Sequence, residues 1–189
     1  MHNGPSRSSK SIIALYGAPG SGKTEISKHF VRRHRDDFSD YFTLHARSEE
    51  EFEKCLRELR KQIPYTTGYF NLRSFLGARS DKVFEAVVDW LSRADNKHWI
   101  VVIDNIDSTM LQNKTSQIAK LLNRVPHGNF VLISQCIGIR DFCDGSKSLR
   151  VGQLLVKETE ALVEHYLGGD YLNETEGQKA PTAKFPLLR

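Results

Sequence analysis

Three cysteines and two methionines are all the sulfur that this 189-residue chain carries. Cys55, Cys136 and Cys143 are odd in number and follow no zinc or redox spacing, so neither a disulfide framework nor a structural zinc is expected. Reduced thiols in a cytoplasmic protein are. Long hydrophobic runs are missing too. The longest lie near Ile12–Tyr16, Trp99–Ile103 and Phe130–Ile133, far short of the ~20 residues a membrane span needs. A secretory signal is not expected, because the first apolar run leads into glycines rather than a cleavage site. Nor is there a strong charge of one sign: 27 Lys and Arg stand against 23 Asp and Glu, a net charge of +4. That surplus permits an anionic ligand without asking for nucleic acid, so neither membrane nor nucleic acid is expected as a partner. With 39% hydrophobic and 26% charged residues, the composition fits one globular domain of ordinary size.

Residues 1–10 are polar with Gly and Pro and read as a disordered leader. Strands are expected at Ser11–Tyr16, Tyr41–His45, Trp99–Ile103, Phe130–Ser134 and, more weakly, Leu149–Leu154. Between them the spacing predicts a helix from Thr24 to about Arg35, with Ile26, Phe30 and Val31 on one face. Another opens at a capping box, Ser48 to Glu51, carries Phe52, Cys55, Leu56, Leu59 and Ile63 on its apolar face, and stops at Pro64. Residues 64–79 read as loop or short helix. Further helices are predicted over Asp81–Arg93, Thr115–Val125 and Lys157–Leu167. Strands alternating with helices imply an α/β fold whose parallel sheet is covered on both faces.

Gly17-Ala18-Pro19-Gly20-Ser21-Gly22-Lys23-Thr24 matches G-x-x-x-x-G-K-[ST]. Glycines let the backbone turn so that successive N–H groups converge on phosphate oxygens, and the helix that follows adds its positive end. Lys23 would supply a full charge to the β- and γ-phosphates, and the Thr24 hydroxyl would ligate Mg²⁺. Glu25, the next residue, completes the expected nucleotide-contacting set. Asp104 follows the most strand-like segment, Trp99–Ile103, and is the expected second holder of the hydrated Mg²⁺. Asp107 reads equally as support for that metal or as a cap or turn residue. Hydrolytic enzymes of this layout commonly place an acid directly after the aspartate. Here that residue is Asn105, a poor base at neutral pH. Lys23, Asp104 and Asn105 are therefore the residues on which any hydrolysis would depend, and slow or absent turnover is expected.

The ordered set of segments resembles the NB-ARC/NACHT-type signalling (STAND) P-loop ATPases, with fungal NLR-like proteins most similar, over about residues 11–168. The resemblance is carried by the phosphate loop, Asp40–Ala46, the acidic helix Ser48–Ile63, Asp89-Trp90-Leu91, Trp99–Asp107, Gly128–Cys136 and Leu149–Gly168. It implies a three-layer P-loop NTPase core with a mostly parallel five-stranded sheet and helices on both faces. It also implies a switch that holds ADP when closed and, with ATP and Mg²⁺, opens and assembles, either with itself or with a full-length NLR-like partner. Gly17–Thr24 would carry the nucleotide, and Thr24 and Asp104 the metal.

The pattern departs in three places. The family's sensor arginine aligns with Cys136, with Arg140 nearby. Its G-L-P-L segment is echoed only by Phe185-Pro186-Leu187-Leu188. Residues 169–189 read as a polar tail opening a following subdomain that is not continued. A catalytically active AAA-like or replication-initiator-like ATPase is the alternative, since the same loop spelling suits it. Lys28, Arg32, Arg33 and Arg35 read as a solvated helix face.

Overall fold

The computed structural model describes residues 10–63, 80–113, 115–143 and 147–167. The chain divides into two compact units, Met1–Gly152 and Gln153–Arg189. The first unit holds five strands: β1 (Ser11–Tyr16), β2 (Asp40–His45), β3 (Trp99–Ile106), β4 (Asn129–Ser134) and β5 (Ser148–Arg150). All pair in parallel, in the order β2-β3-β4-β1-β5. The expected mostly parallel sheet is thus wholly parallel. The helices of this unit are α1 (Lys23–Arg33), α2 (Glu49–Gln62), α3 (Ser80–Leu91), α4 (Ser108–Gln112) and α5 (Gln117–Arg124), with short 3-10 turns at Arg35–Asp37 and Ile137–Phe142. In the second unit, α6 spans Val156–Leu167. Residues 1–9 of the proposed leader, residues 64–79 and the tail 169–189 lie outside the described residues.

The sheet's two faces are unequally covered. Phe42, Leu44, Trp99, Val101, Ile103, Phe130 and Leu132 pack with α2, α3 and α5 into one large core. The opposite face joins Leu15, Ile100, Val102, Val131 and Ile133 to Val31 of α1 in a smaller cluster. Strand parity makes this division, because alternate side chains point to opposite faces. Phe52, Leu56, Leu59 and Ile63 are buried along α2 as their spacing demands, and Ser48 caps it by accepting from the Glu51 N–H at 3.2 Å. Val83, Phe84, Val87, Val88 and Leu91 of α3 are likewise buried.

The expectation for α1 needs correction. Ile26 and Phe30 are exposed, and the buried stripe is Lys23, Ser27 and Val31. Four-residue spacing aligns those three on one face. The helix is rotated so that its first turn serves the loop before it, and that places a lysine and a serine where the apolar pattern asked for large side chains. Lys28, Arg32, Arg33 and Arg35 are exposed, as expected of a solvated face.

At the far end of the sheet, Gly128 (φ +91°) lets β4 begin directly under the Trp99 ring. An added Cβ there would lie 2.2 Å from the indole. Trp99 is fully buried, and its indole N–H donates to the carbonyls of Leu91 and Asn96.

Candidate functional site

The loop Gly17–Gly22 leaves the carboxyl end of β1, the strand at which the sheet order turns from β4 to β5. Open α/β sheets bind ligands at such a point. Gly20 and Gly22 have φ of +74° and +86°, values that glycine adopts without cost. Gly17 is needed for another reason. Val151, which donates its N–H to the Tyr16 carbonyl at 2.8 Å, brings its own carbonyl oxygen to 2.2 Å from where a Cβ on Gly17 would stand. Gly22 precedes α1 without a side-chain cap, so the first-turn N–H groups of the helix face the loop with no side-chain acceptor from that residue.

Lys23 is 8% exposed, and its Nζ donates to Gly17 O at 2.9 Å, Ala18 O at 2.7 Å and Ser21 Oγ at 3.2 Å. A lysine drawn in this far holds the loop's curve and keeps its charge at the loop's centre. Thr24 turns its hydroxyl to Asp104, 3.0 Å from one carboxylate oxygen and 3.2 Å from the other. Parity explains the meeting: Asp104 shares the α1 face of β3 with Ile100 and Val102.

β3 is longer than the sequence suggested. It runs through Ile106, so Asp104 lies within the strand and does not follow it. Between the pairs Ile103–Leu132 and Ile106–Ser134 it carries one residue more than β4. The extra residue is accommodated at Asn105, whose φ of +61° is the positive value among described non-glycine residues. This is a β-bulge. It returns Ile106 to the large core on the face of Ile103, while Asp104 stays on the α1 face. Asparagine is among the few residues that tolerate such a conformation.

Lys23, Thr24, Asp104 and Asn105 line one cleft of about 220 Å³ with Pro19, Gly20, Ile133, Ser134 and Gln135. The lining is mainly hydroxyl, carboxylate, amide and ammonium, a set suited to phosphate and metal. Gly17, Ala18, Ser21 and Gly22 build the loop without lining the cleft. Glu25 does not line it either: its exposed carboxylate pairs with Lys28 at 2.7 Å, which holds it below the usual carboxylate range. Asp107 caps α4, accepting from the Thr109 N–H at 2.8 Å and the Thr109 hydroxyl at 2.7 Å. Capping therefore accounts for it.

Cys136 is turned towards a separate cavity with Lys10, Ile12 and Phe142, and Arg140 lines neither. The end of β4 instead presents Gln135, which the sequence reading passed over. Because β4 separates β1 from β3, its last residues necessarily fall between loop and aspartate, and that order of strands is the signal that would have found it. Ser134 is fixed there by its bond to the Ile106 carbonyl at 2.7 Å.

A divalent ion fits the donor set. Adjacent ligands on an octahedral Mg²⁺, each at ~2.1 Å, stand about 3.0 Å apart, and Thr24 and Asp104 offer oxygens at that separation. Among the described residues no group of three or more His, Cys, Asp or Glu gathers to hold a metal. Mg²⁺ held by one or two protein oxygens commonly shares its remaining positions with water and phosphate oxygens.

The profile of the AAA domain matches residues 6–141, most of the chain. The chain belongs to the AAA domain family. Its fold is similar to that of a signal transduction ATPase with numerous domains (STAND) from Pyrococcus horikoshii that carries a tetratricopeptide repeat sensor. The TM-score is 0.51 at 14% identity, over 84% of this chain and 23% of that one. A Drosophila ORC bound to DNA gives 0.48 at 17% identity, over 88% and 43% of the two chains. C. elegans PCH-2 gives 0.45 at 19%, over 82% and 39%. The chain thus spans less than half the length of each. No curated protein matches it. Among the described residues, no helix is long and apolar enough to cross a membrane.

Proposed function

We propose that this AAA domain is an ATP- and ADP-binding switch module of the NB-ARC/NACHT kind, binding Mg-nucleotide through its phosphate loop and hydrolysing it slowly or not at all. One observation carries the reading. Lys23, Thr24 and Asp104 converge on a single polar cleft, while the position beside the aspartate holds an amide, Asn105. Gly17–Gly22 would wrap the phosphates with backbone N–H groups, and Lys23 would exchange its bonds to loop carbonyls for bonds to phosphate oxygens. Thr24 and Asp104 would orient Mg²⁺, which when bound supplies the positive charge that neutralises the phosphates. Glu25 would contribute its backbone alone, given where its side chain lies. A signalling role is in keeping with the similarity in fold to a signal transduction ATPase, and the cytoplasm is the proposed location. The output would be assembly with further copies or with a full-length NLR-like partner.

Calorimetry of the purified chain with ATP and ADP, each with Mg²⁺, tests the binding. Micromolar or tighter affinity is expected for at least one nucleotide, and no heat with either defeats the proposal. A second reading, a turning-over AAA-like ATPase, draws on the match to the AAA domain family. Steady-state turnover above about one per second would select it.

A further inference from the structure

Asn105 is bound on its outer side by a residue that the phosphate-loop logic does not include. β2 runs alongside the bulge. His45 pairs with Asp104, the Ala46 N–H donates to the Asp104 carbonyl at 2.9 Å, and the Asp107 N–H donates to the Ala46 carbonyl at 3.1 Å. The backbone of Ala46 is therefore tied to both sides of Asn105, and the next residue, Arg47, stands beside it. With the amide oriented to meet its neighbours, Asn105 Oδ1 accepts from Arg47 Nη2 at 3.1 Å and from Arg47 Nε at 3.3 Å. An amide oxygen has two lone pairs, and both are engaged.

We infer that Arg47 is a positioning residue that occupies the acceptor side of Asn105, so that only the amide N–H₂ remains to serve the cleft. The inference rests on the nucleotide-binding reading above and deepens it by naming what restrains hydrolysis. In hydrolysis, water oxygen forms a bond to the γ-phosphorus, the bond from that phosphorus to the bridging oxygen breaks, and the water gives up a proton. A group at position 105 can help only by accepting a hydrogen bond or that proton. Asn105 held by Arg47 does neither. It can donate to a phosphate oxygen, which favours retention of the nucleotide. The guanidinium does not deprotonate at any physiological pH, so the restraint is not released by mild changes of pH.

The decisive comparison uses the full chain with Asn105→Asp, Arg47→Ala and the double variant. Aspartate has the shape of asparagine and tolerates the left-handed backbone. Beside Arg47 its carboxylate would be held in an ion pair and remain a weak base; without Arg47 it would be free to accept from water. Single-turnover cleavage of γ-labelled ATP, with protein in excess, should be at least tenfold faster in the double variant than in Asn105→Asp. Mg-ADP affinity in Arg47→Ala should stay within threefold of wild type, which a merely structural role for Arg47 would not predict. Equal rates in Asn105→Asp and the double variant overturn the inference.

A second readout needs no nucleotide. The side-chain amide resonance of Asn105, identified by its loss in Asn105→Asp, should shift in Arg47→Ala and not in the distant exposed control Lys61→Ala. An unmoved resonance also overturns the inference. Absence of nucleotide binding by wild type would instead defeat the switch reading, and the resonance would still decide whether Arg47 holds Asn105.

Discussion

The phosphate loop and the bulge in β3 face each other across one cleft, yet they are built on opposite principles. The loop is contiguous: its glycines, its lysine and its threonine occupy eight successive positions, and three bonds from Lys23 close it on itself. The bulge is assembled from distant parts, Asp104 meeting Thr24, Asn105 meeting Arg47, and Ser134 reaching the Ile106 carbonyl. A local device depends mainly on its own residues, whereas an assembled one depends on the register of three strands. The two should therefore fail differently when altered.

The largest expected effect is on the loop's ligand and not on its fold. Lys23→Ala removes a nearly buried charge whose bonds go to carbonyls that water can also satisfy. It should lower Mg-nucleotide affinity about 100-fold or more, since hydrogen bonds to charged groups contribute ~1.5–3 kcal/mol each and 1.4 kcal/mol is a factor of ten. The melting temperature should stay within a few degrees of wild type. Calorimetry together with thermal unfolding checks both halves, and a large fall in melting temperature with affinity kept would refute this account of the loop.

Gly17→Ala should do the reverse. Its Cβ would strike the Val151 carbonyl, and β5 would have to move away from β1. Overpacking against backbone costs roughly 1–3 kcal/mol, or ~2–4 °C of melting temperature per kcal/mol in a chain of this size. A glycine drawn from the contiguous motif would then prove to be a tertiary contact.

On the other side of the cleft, Asn105→Val places a β-branched residue at a φ of +61°. The strain is about 1–2 kcal/mol, and Asn105→Gly should be close to neutral in stability. Denaturant unfolding of both variants separates backbone strain from loss of the bond to Arg47, because both substitutions lose that bond and only one is strained. Equal destabilisation would assign the cost to the bond.

The same contrast explains what the sequence disclosed. β1 and the capped start of α2 were legible because periodicity, capping and the glycine motif are written in neighbouring residues. That Asp104 stands beside the phosphate loop was legible because it comes directly after an unmistakably buried run, Trp99–Ile103. The bulge was not, since nothing in Trp99–Ile106 marks where an extra residue enters; only pairing with β4 reveals it. Gln135 was hidden because its importance comes from the strand order, and Arg47 because it owes its partner to the β2–β3 register. The misjudged face of α1 has a related cause. Apolar spacing ranked Ile26 and Phe30 as core, while the loop fixed the helix rotation in favour of Lys23 and Ser27.

The smallest effect belongs to Asp107, where the assembled side of the cleft reverts to purely local chemistry. The Thr109 hydroxyl first, and then its N–H, hold the carboxylate below the usual range. A depressed folded-state pKa means that this cap stabilises fully above the unfolded-state value and loses its effect as pH falls through the folded-state one. Because the group is exposed and α4 is a five-residue helix, Asp107→Ala should cost only about 0.5 kcal/mol at neutral pH, the low end for a lost cap. Wild type and variant should converge in stability once the pH lies well below ~4, the ordinary aspartate value. Parallel thermal unfolding across that range measures it. A difference that persists in acid would mean that Asp107 acts through its shape within the turn after β3, tying this residue to the assembled side after all.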